Sequence, residues 1–201
     1  MNLKQTTLFH RNGKPKYIGQ VNEKGEYHGK GEEYWEDGNP RYKGEFVNGK
    51  RHGKGEEYRE DGITLGYKGD FVNGEYHGKG ERYWFDGTLG YKGEFVNGKR
   101  HGKGKEYCED GITLWYEGDF VNGEYHGKGT YHFLTGSKYE GNFVNGKRHG
   151  QGERYWRDGK LHYEGGFKDG EYHGKGKLYD EDGELCYEGE FKDGFPVNQI
   201  H

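Results

Sequence analysis

The chain has no alanine, a single serine at Ser137, and a single methionine, Met1. A helix-rich protein draws freely on alanine. The 41 glycines present would each cost about 1 kcal/mol inside a helix. Helical folds are therefore excluded. Cysteine is scarce: Cys108 and Cys186 are too few and too far apart for a disulfide framework or a metal cluster, which fits a reducing compartment. No apolar run approaches the roughly 20 residues of a membrane-spanning helix. The opening stretch MNLKQTTLFHRNG lacks the apolar core of a signal peptide. These absences lead to the expectation of a soluble, cytoplasmic chain. Aliphatic residues are few as well: Leu, Ile, Val and Phe together number 31, a composition that alone suggests disorder.

Rings oppose that reading. There are 19 Tyr, 11 Phe and 4 Trp, and the formal charge is only −4 although 33% of residues are charged. Disordered segments are poor in aromatics, so this chain orders itself by packing rings.

The rings come in a repeating frame, and such self-similarity decides the architecture. Tyr followed two places later by Gly recurs at Tyr17, Tyr42, Tyr67, Tyr91, Tyr116, Tyr139, Tyr163 and Tyr187, spaced 25, 25, 24, 25, 23, 24 and 24 residues apart. Each full unit reads Tyr-x-Gly-x-Phe, then Asn-Gly or Asp-Gly, then His-Gly-x-Gly and an aromatic. The first departs from it, with Val21 in place of Phe and Lys24-Gly25 in the turn.

Period-two alternation puts Leu65, Tyr67, Gly69 and Phe71 on one face of a strand, and Gly66, Lys68, Asp70 and Val72 on the other. Asn73-Gly74 is a strong hairpin signal, because a type I′ turn needs positive φ at both central residues. An unbroken register would then set Gly78 opposite Gly69 and Gly80 opposite Tyr67. These glycines leave a floor on which rings can lie flat. One detail stays open: Tyr34, Tyr58, Tyr83, Tyr107, Tyr155 and Tyr179 follow the glycines, but Trp35, Trp84 and Trp156 come directly after three of them. Strict alternation puts the Trp on the glycine face and the Tyr opposite, unless a bulge intervenes. The unit at Tyr116 reads GTYHFLTG, with Tyr131 and Phe133 both on the glycine face.

The expected organisation is a half-repeat cap over 1–16, seven tandem repeats over 17–186, and a truncated repeat with a cap over 187–201. In the last of these, Phe195-Pro196 replaces the return strand and blunts the edge. The count is about sixteen strands, an all-β single antiparallel sheet of stacked hairpins, roughly 70 Å long at about 4.8 Å per strand.

Stretches such as YKGEFVNGKRHGKGEEY from Tyr42 resemble the MORN (membrane occupation and recognition nexus) repeat family. The resemblance runs from Tyr17 to about Gly194. It implies an elongated, twisted sheet with an open groove. It also implies a non-catalytic scaffold for protein contacts in cytoskeletal or membrane-associated assemblies, with a protein or peptide segment bound along aromatic residues. Tyr67, Phe71, Tyr91, Phe95, Tyr116 and Phe120 are the candidate binding rings, although packing is their first task. The alternative function attributed to such repeats is peripheral binding to acidic phospholipid, for which Lys30, Lys54, Lys79, Lys103 and Lys128 are the candidates. A module associated with bacterial toxin–antitoxin systems and an engineered array are further alternatives. Sheet ends offer a route to self-association.

One pair varies within the constant frame: Glu26-Tyr27, Lys50-Arg51, Glu75-Tyr76, Lys99-Arg100, Glu124-Tyr125, Lys147-Arg148 and Glu171-Tyr172. Neighbouring tips stand about 9.5 Å apart. Lys can meet Glu across that gap, and Arg can stack on Tyr, a ladder that disfavours hairpins skipping a register. Duplication of a two-repeat unit explains the same pattern without selection.

Other columns carry less chemistry. His28, His52, His77, His101, His126, His149 and His173 are too far apart to converge on one metal ion. The Lys row is matched by Glu45, Asp70, Glu94, Asp119 and Glu190, so its field should largely cancel, and no nucleic-acid partner is expected. The residue after each repeat Tyr is Lys at 43, 68 and 92 but Glu at 117, 140, 164 and 188, a polarity that could orient a partner. No nucleophile stands beside His and carboxylate in a distinctive spacing, and no Gly-rich stretch opens a helix. Neither an enzyme nor a cofactor is expected.

Overall fold

A computed structural model describes residues 2–197. These residues hold seventeen strands and no helix, and the strands belong to one antiparallel sheet of successive hairpins. They fall into two compact units. The first holds residues up to Lys99 together with Tyr107–Ile112; the second holds Arg100–Glu106 and the residues from Thr113 onward.

The first unit contains β1 (Lys4–Phe9), β2 (Pro15–Val21), β3 (Tyr27–Tyr34), β4 (Pro40–Val47), β5 (Lys50–Tyr58), β6 (Leu65–Val72), β7 (Glu75–Tyr83) and β8 (Leu89–Val96). β9 (Lys99–Tyr107) is divided between the two units. The hairpin of β6 and β7 shows how the frame works. Asn73 has φ 54° and Gly74 φ 91°, the positive pair a type I′ turn requires. Across it Val72 pairs with Glu75, Phe71 with Tyr76 and Asp70 with His77. Then the register slips, and Gly69 pairs with Gly80, leaving Gly78 and Lys79 as extra residues on β7.

This corrects the unbroken register. Gly80 lies opposite Gly69, and Arg82 lies opposite Tyr67. The reason is steric. The Tyr67 ring lies flat on Gly80, where a Cβ would stand 2.3 Å from its hydroxyl oxygen. The bulge brings the two bare glycines together as one floor, and Gly78 supplies the φ of 57° at the slip. Tyr67 also explains why the frame uses Tyr and not Phe: its hydroxyl donates to the Asp70 carbonyl at 3.0 Å. The ring is thus packed and its polar end satisfied.

A second slip, of one residue, occurs where β7 meets β8. Arg82 pairs with Tyr91 and Tyr83 with Leu89, leaving Gly90 extra. Arg41 and Gly66 are the matching extra residues between β3 and β4 and between β5 and β6. The Trp84 indole covers Gly90, where a Cβ would stand 3.0 Å from its ring. Tyr83 turns outward and donates to Glu81 at 2.7 Å. The Tyr-Trp pairs are therefore divided between the two faces.

The second unit contains β10 (Leu114–Val121), β11 (Glu124–His132), β12 (Lys138–Val144), β13 (Lys147–Tyr155), β14 (Leu161–Lys168), β15 (Glu171–Tyr179), β16 (Leu185–Lys192) and β17 (Phe195–Pro196). It repeats the same devices. Gly118 pairs with Gly129 under Tyr116, and the Tyr116 hydroxyl donates to the Asp119 carbonyl at 3.0 Å. One-residue slips leave His162 and Cys186 extra. Between β11 and β12 there is no slip. That continuous register accounts for the 23-residue spacing from Tyr116 to Tyr139. The strand beyond the expected sixteen is β17, two residues paired with the end of β16. Residues 198–201 of the expected cap lie outside the described ones.

In both units the core is a row of rings on the glycine face. Tyr42 meets Phe46 and Phe71 edge-on at 5.1 Å, and Tyr67 meets Phe71 at 5.1 Å and Phe95 at 5.3 Å. In the second unit Tyr139 meets Phe143 at 5.2 Å and Phe167 at 4.9 Å. Each such pair contributes about 0.5–1.5 kcal/mol beyond its buried area. The ring row does the work that aliphatic residues do elsewhere.

Candidate interaction face

The six candidate binding rings are not open to a partner. Tyr67, Phe71, Tyr91, Phe95, Tyr116 and Phe120 are each 3% exposed or less. They are covered by the second residue of the alternating pair. Because Phe71 pairs with Tyr76 across the turn, Tyr76 must share the ring face. It stacks on Tyr67 at 3.7 Å and 7°. Tyr27 stacks on Tyr17 in the same way, at 3.7 Å and 2°. Arg51 fills the place between them, its guanidinium 4.3 Å from the centre of the Tyr42 ring. Burial pushes the Tyr17 and Tyr76 hydroxyls up to about 12, with neighbouring Tyr27 reinforcing the first and Glu57 the second. These phenols stay neutral donors at any ordinary pH.

The alternation thus places Tyr and Arg in turn as lids over the repeat tyrosines. The tip ladder is corrected in one respect. Val72 pairs with Glu75, so the first residue of each pair lies on the opposite face. Among the described residues, Lys50 makes no ion pair with Glu26 or Glu75; exposed beside the turn, Lys50 and Glu75 are better solvated than paired. What ties one tip to the next is backbone: the Gly74 amide donates to the Arg51 carbonyl at 2.8 Å, and the Gly98 amide to the Tyr76 carbonyl at 2.9 Å.

A further column completes the cover, and the sequence reading missed it: the residue two places after the last glycine of the return strand. In the first unit this column supplies Glu33 and Glu57. Arg51 donates from Nε to Glu33 at 2.9 Å and from Nη1 to Glu57 at 2.8 Å. The Tyr76 hydroxyl also points at Glu57, at 3.4 Å. The period-two pattern would have revealed this column, since Glu57 stands two residues from Gly55 on the glycine face.

In the second unit the lids are Tyr125 on Tyr116 at 3.9 Å, Tyr172 on Tyr163 at 3.9 Å, and Arg148 between them. Here Arg148 lies 5.8 Å from the Tyr139 ring centre, 5.6 Å from Phe167 and 5.8 Å from Phe133. Phe133 also lies 5.4 Å from Arg154, and both Tyr131 and Phe133 are on the glycine face as the spacing of GTYHFLTG indicates. His162 stacks on Trp156 at 3.7 Å and makes an edge contact with Tyr172. Burial, reinforced by the nearby Arg154 charge, lowers the His162 imidazole to about 4.

The outward face carries charge. In the first unit, paired positions alternate in sign from Glu32 through Lys43, Glu56, Lys68 and Glu81 to Lys92. Lys43–Glu32 closes at 3.1 Å, and Lys68–Glu56 and Lys92–Glu81 at 2.9 Å. The equivalent row of the second unit places Glu140, Glu153 and Glu164 directly opposite one another. The lysines considered for lipid binding are on this face. Lys54 pairs with Asp70 at 2.5 Å and Lys103 with Asp119 at 2.7 Å, while Lys30 and Lys79 stand across from Glu45 and Glu94 and Lys128 from Asn142. Among the described residues no group of three or more His, Cys, Asp or Glu could hold a metal ion, and no helix is long and apolar enough to cross a membrane.

The MORN repeat pattern matches residues 42–64, 67–89, 91–113, 116–138, 139–160, 163–184 and 187–199, and a MORN repeat variant matches 27–48. No match to a curated protein was found. Among the tyrosines that open these matched repeats, Tyr42, Tyr67, Tyr116, Tyr139 and Tyr163 lie flat on their paired glycines, and Tyr187 lies over Gly189. The matches extend over most of the chain, and the chain belongs to the MORN repeat family.

Proposed function

We propose that this chain is a non-catalytic scaffold whose ring face receives a segment of another protein, contacted by the lids rather than by the rings beneath. MORN repeats are modules of protein and membrane interaction, and the family is generally a non-enzymatic scaffold. The observation that carries the reading is the lid layer itself. Tyr27, Arg51 and Tyr76 in the first unit, and Tyr125, Arg148 and Tyr172 in the second, are half-buried side chains held in fixed stacks. Tyr and Arg prearranged in this way lose little conformational entropy on binding, and both residue types dominate binding energy at protein interfaces. The outward face suits this role less well, because its lysines are interleaved with carboxylates.

The test is site-specific photo-cross-linking of the full chain to a partner that co-purifies from its native host. A photoreactive phenylalanine analogue at position 76 or 125 should capture the partner, and one at Lys79 should not. Capture at Lys79 alone would move the site to the outward face. Salt-sensitive binding to anionic vesicles, lost on neutralising Lys30 and Lys79, would favour the lipid reading instead.

A further inference from the structure

Arg51 shows what a guanidinium on this face is built to meet: two carboxylates of its own chain, Glu33 and Glu57. Arg148 occupies the same place in the second unit. There the two carboxylate positions are taken by Tyr131 and Arg154.

The consequence, among the described residues, is two neighbouring guanidiniums with no ion pair to either. Arg148 donates from Nη2 to the Gly170 carbonyl at 2.5 Å, and Arg154 donates from Nη1 to the Tyr172 hydroxyl at 3.3 Å. A guanidinium has five N–H donors, and among the described residues these two use one apiece. Among the described residues Arg154 Nε is buried without a partner, and so is His162 Nδ1 beside it. Glu171 is near enough for Arg148 to feel its charge, yet does not reach it as a partner. Rings wall the pair: Phe133 is within 6 Å of both guanidiniums, with Phe167 by Arg148 and Tyr172 by Arg154. Such walls strengthen any charge–charge contact made between them. Arg82, in the equivalent column of the first unit, is exposed and can be satisfied by water; Arg148 and Arg154 are half-buried.

We infer that Arg148 and Arg154 form a receptor for the carboxylates of an acidic segment of a partner protein, supplying from outside what Glu33 and Glu57 supply to Arg51 from within. The proposal rests on the reading that the ring face receives a protein segment. Guanidinium and carboxylate match as bidentate forks, and aromatic residues beside the acids would pack on Phe133 and Trp156. On the outward face of this unit Lys138 and Lys177 are already paired, with Glu140 at 2.5 Å and Glu164 at 3.4 Å, and so compete less for the same segment.

The test uses the full chain and a fluorescein-labelled peptide of alternating glutamate and tyrosine, followed by fluorescence anisotropy. The peptide should bind, and Arg154→Glu, which supplies Arg148 from within with the counterpart of Glu57, should weaken binding at least tenfold. Lys54→Gln on the outward face should leave it unchanged. Near-ultraviolet circular dichroism checks that each variant keeps its ring packing. No binding, equal binding by Arg154→Glu, or equal binding of a lysine–tyrosine peptide would overturn the proposal. So would displacement by inorganic phosphate at lower concentration than by acetate, which would make the receptor one for phosphate. Failure of the peptide while a native partner still cross-links at positions 76 and 125 removes this inference alone. Cross-linking only at Lys79 removes the reading of the face as well.

Discussion

In the first unit Arg51 lies between Glu33 and Glu57, whereas in the second the matching Arg148 faces Tyr131 and Arg154. The outward faces differ in the same sense. Glu and Lys alternate in the first, while Glu140, Glu153 and Glu164 stand side by side in the second, with Lys138 on Glu140 and Lys177 on Glu164. Beneath these differences the floor is common: paired glycines, a flat tyrosine bonded to the carbonyl three residues on, and an edge-on phenylalanine. The fold therefore depends on the floor, which each repeat makes for itself. Charge lies in the layers above and below it, where a unit can be self-neutralised or left incomplete without cost to the packing.

The common floor gives the largest expected effect. Gly80→Ala and Gly129→Ala each place a methyl 2.3 Å from a tyrosine hydroxyl oxygen. Each should destabilise its unit by about 3 kcal/mol, measured as a shift of the urea midpoint. Tolerance in one unit and not the other would break the claim that the floors are equivalent.

Exchanging the lids comes next. Glu57→Arg places at one of the two carboxylate positions the residue type that the second unit has there, and should destabilise the first unit by about 1–2 kcal/mol, since Arg51 then faces a like charge with only Glu33 left. Arg154→Glu should do the reverse and stabilise the second unit by about 1 kcal/mol. Equal signs for the two variants would show that the lid charges do not couple to Arg51 and Arg148.

The units should also differ in acid. His162 is lowered to about 4 from an ordinary 6.5, by burial first and Arg154 second. The unfolded chain therefore takes up the proton first, so stability falls as pH drops from 6.5 towards 4. In the first unit Glu32, Glu56 and Glu81 are held below 4.5, chiefly by hydroxyl and lysine hydrogen bonds. Their contribution is present above 4.5 and is lost only below it. Urea midpoints between pH 7 and 5 should therefore decline less in His162→Asn than in the parent chain, and an identical decline would refute the assignment.

The smallest effect concerns the outward row. Glu153→Lys puts a cation between Glu140 and Glu164 and should add about 0.5 kcal/mol to the second unit. The mirror change Lys68→Glu, between Glu56 and Glu81, should lower the urea midpoint of the first unit.

The floor was legible in the sequence because its requirements are local and recur in every unit. Tyr-x-Gly-x-Phe sets the face, and Asn-Gly sets the turn. The slip at Gly78 was not legible, because Gly78 and Gly80 look alike in composition. Only the contact of Tyr67 with Gly80 tells which of them must be bare and which must turn the backbone. The candidate rings were correctly put on one face, but period-two reasoning does not say what lies on top of them. The lids were within reach: Phe71 pairing with Tyr76 follows directly from a two-residue turn. The Arg148–Arg154 pair was harder to see, since it joins a residue beside the hairpin turn to one six places on, in a column whose identity changes from repeat to repeat.

Hydrogen-exchange footprinting of the intact chain with the glutamate–tyrosine peptide bound tests the contrast between the two units most directly. Protection should concentrate on the segments carrying Phe133, Arg148, Arg154 and Tyr172, leaving those around Arg51 and Glu57 unchanged. Protection centred on Arg51, or on the outward lysines at 30, 54 and 79, would contradict the account.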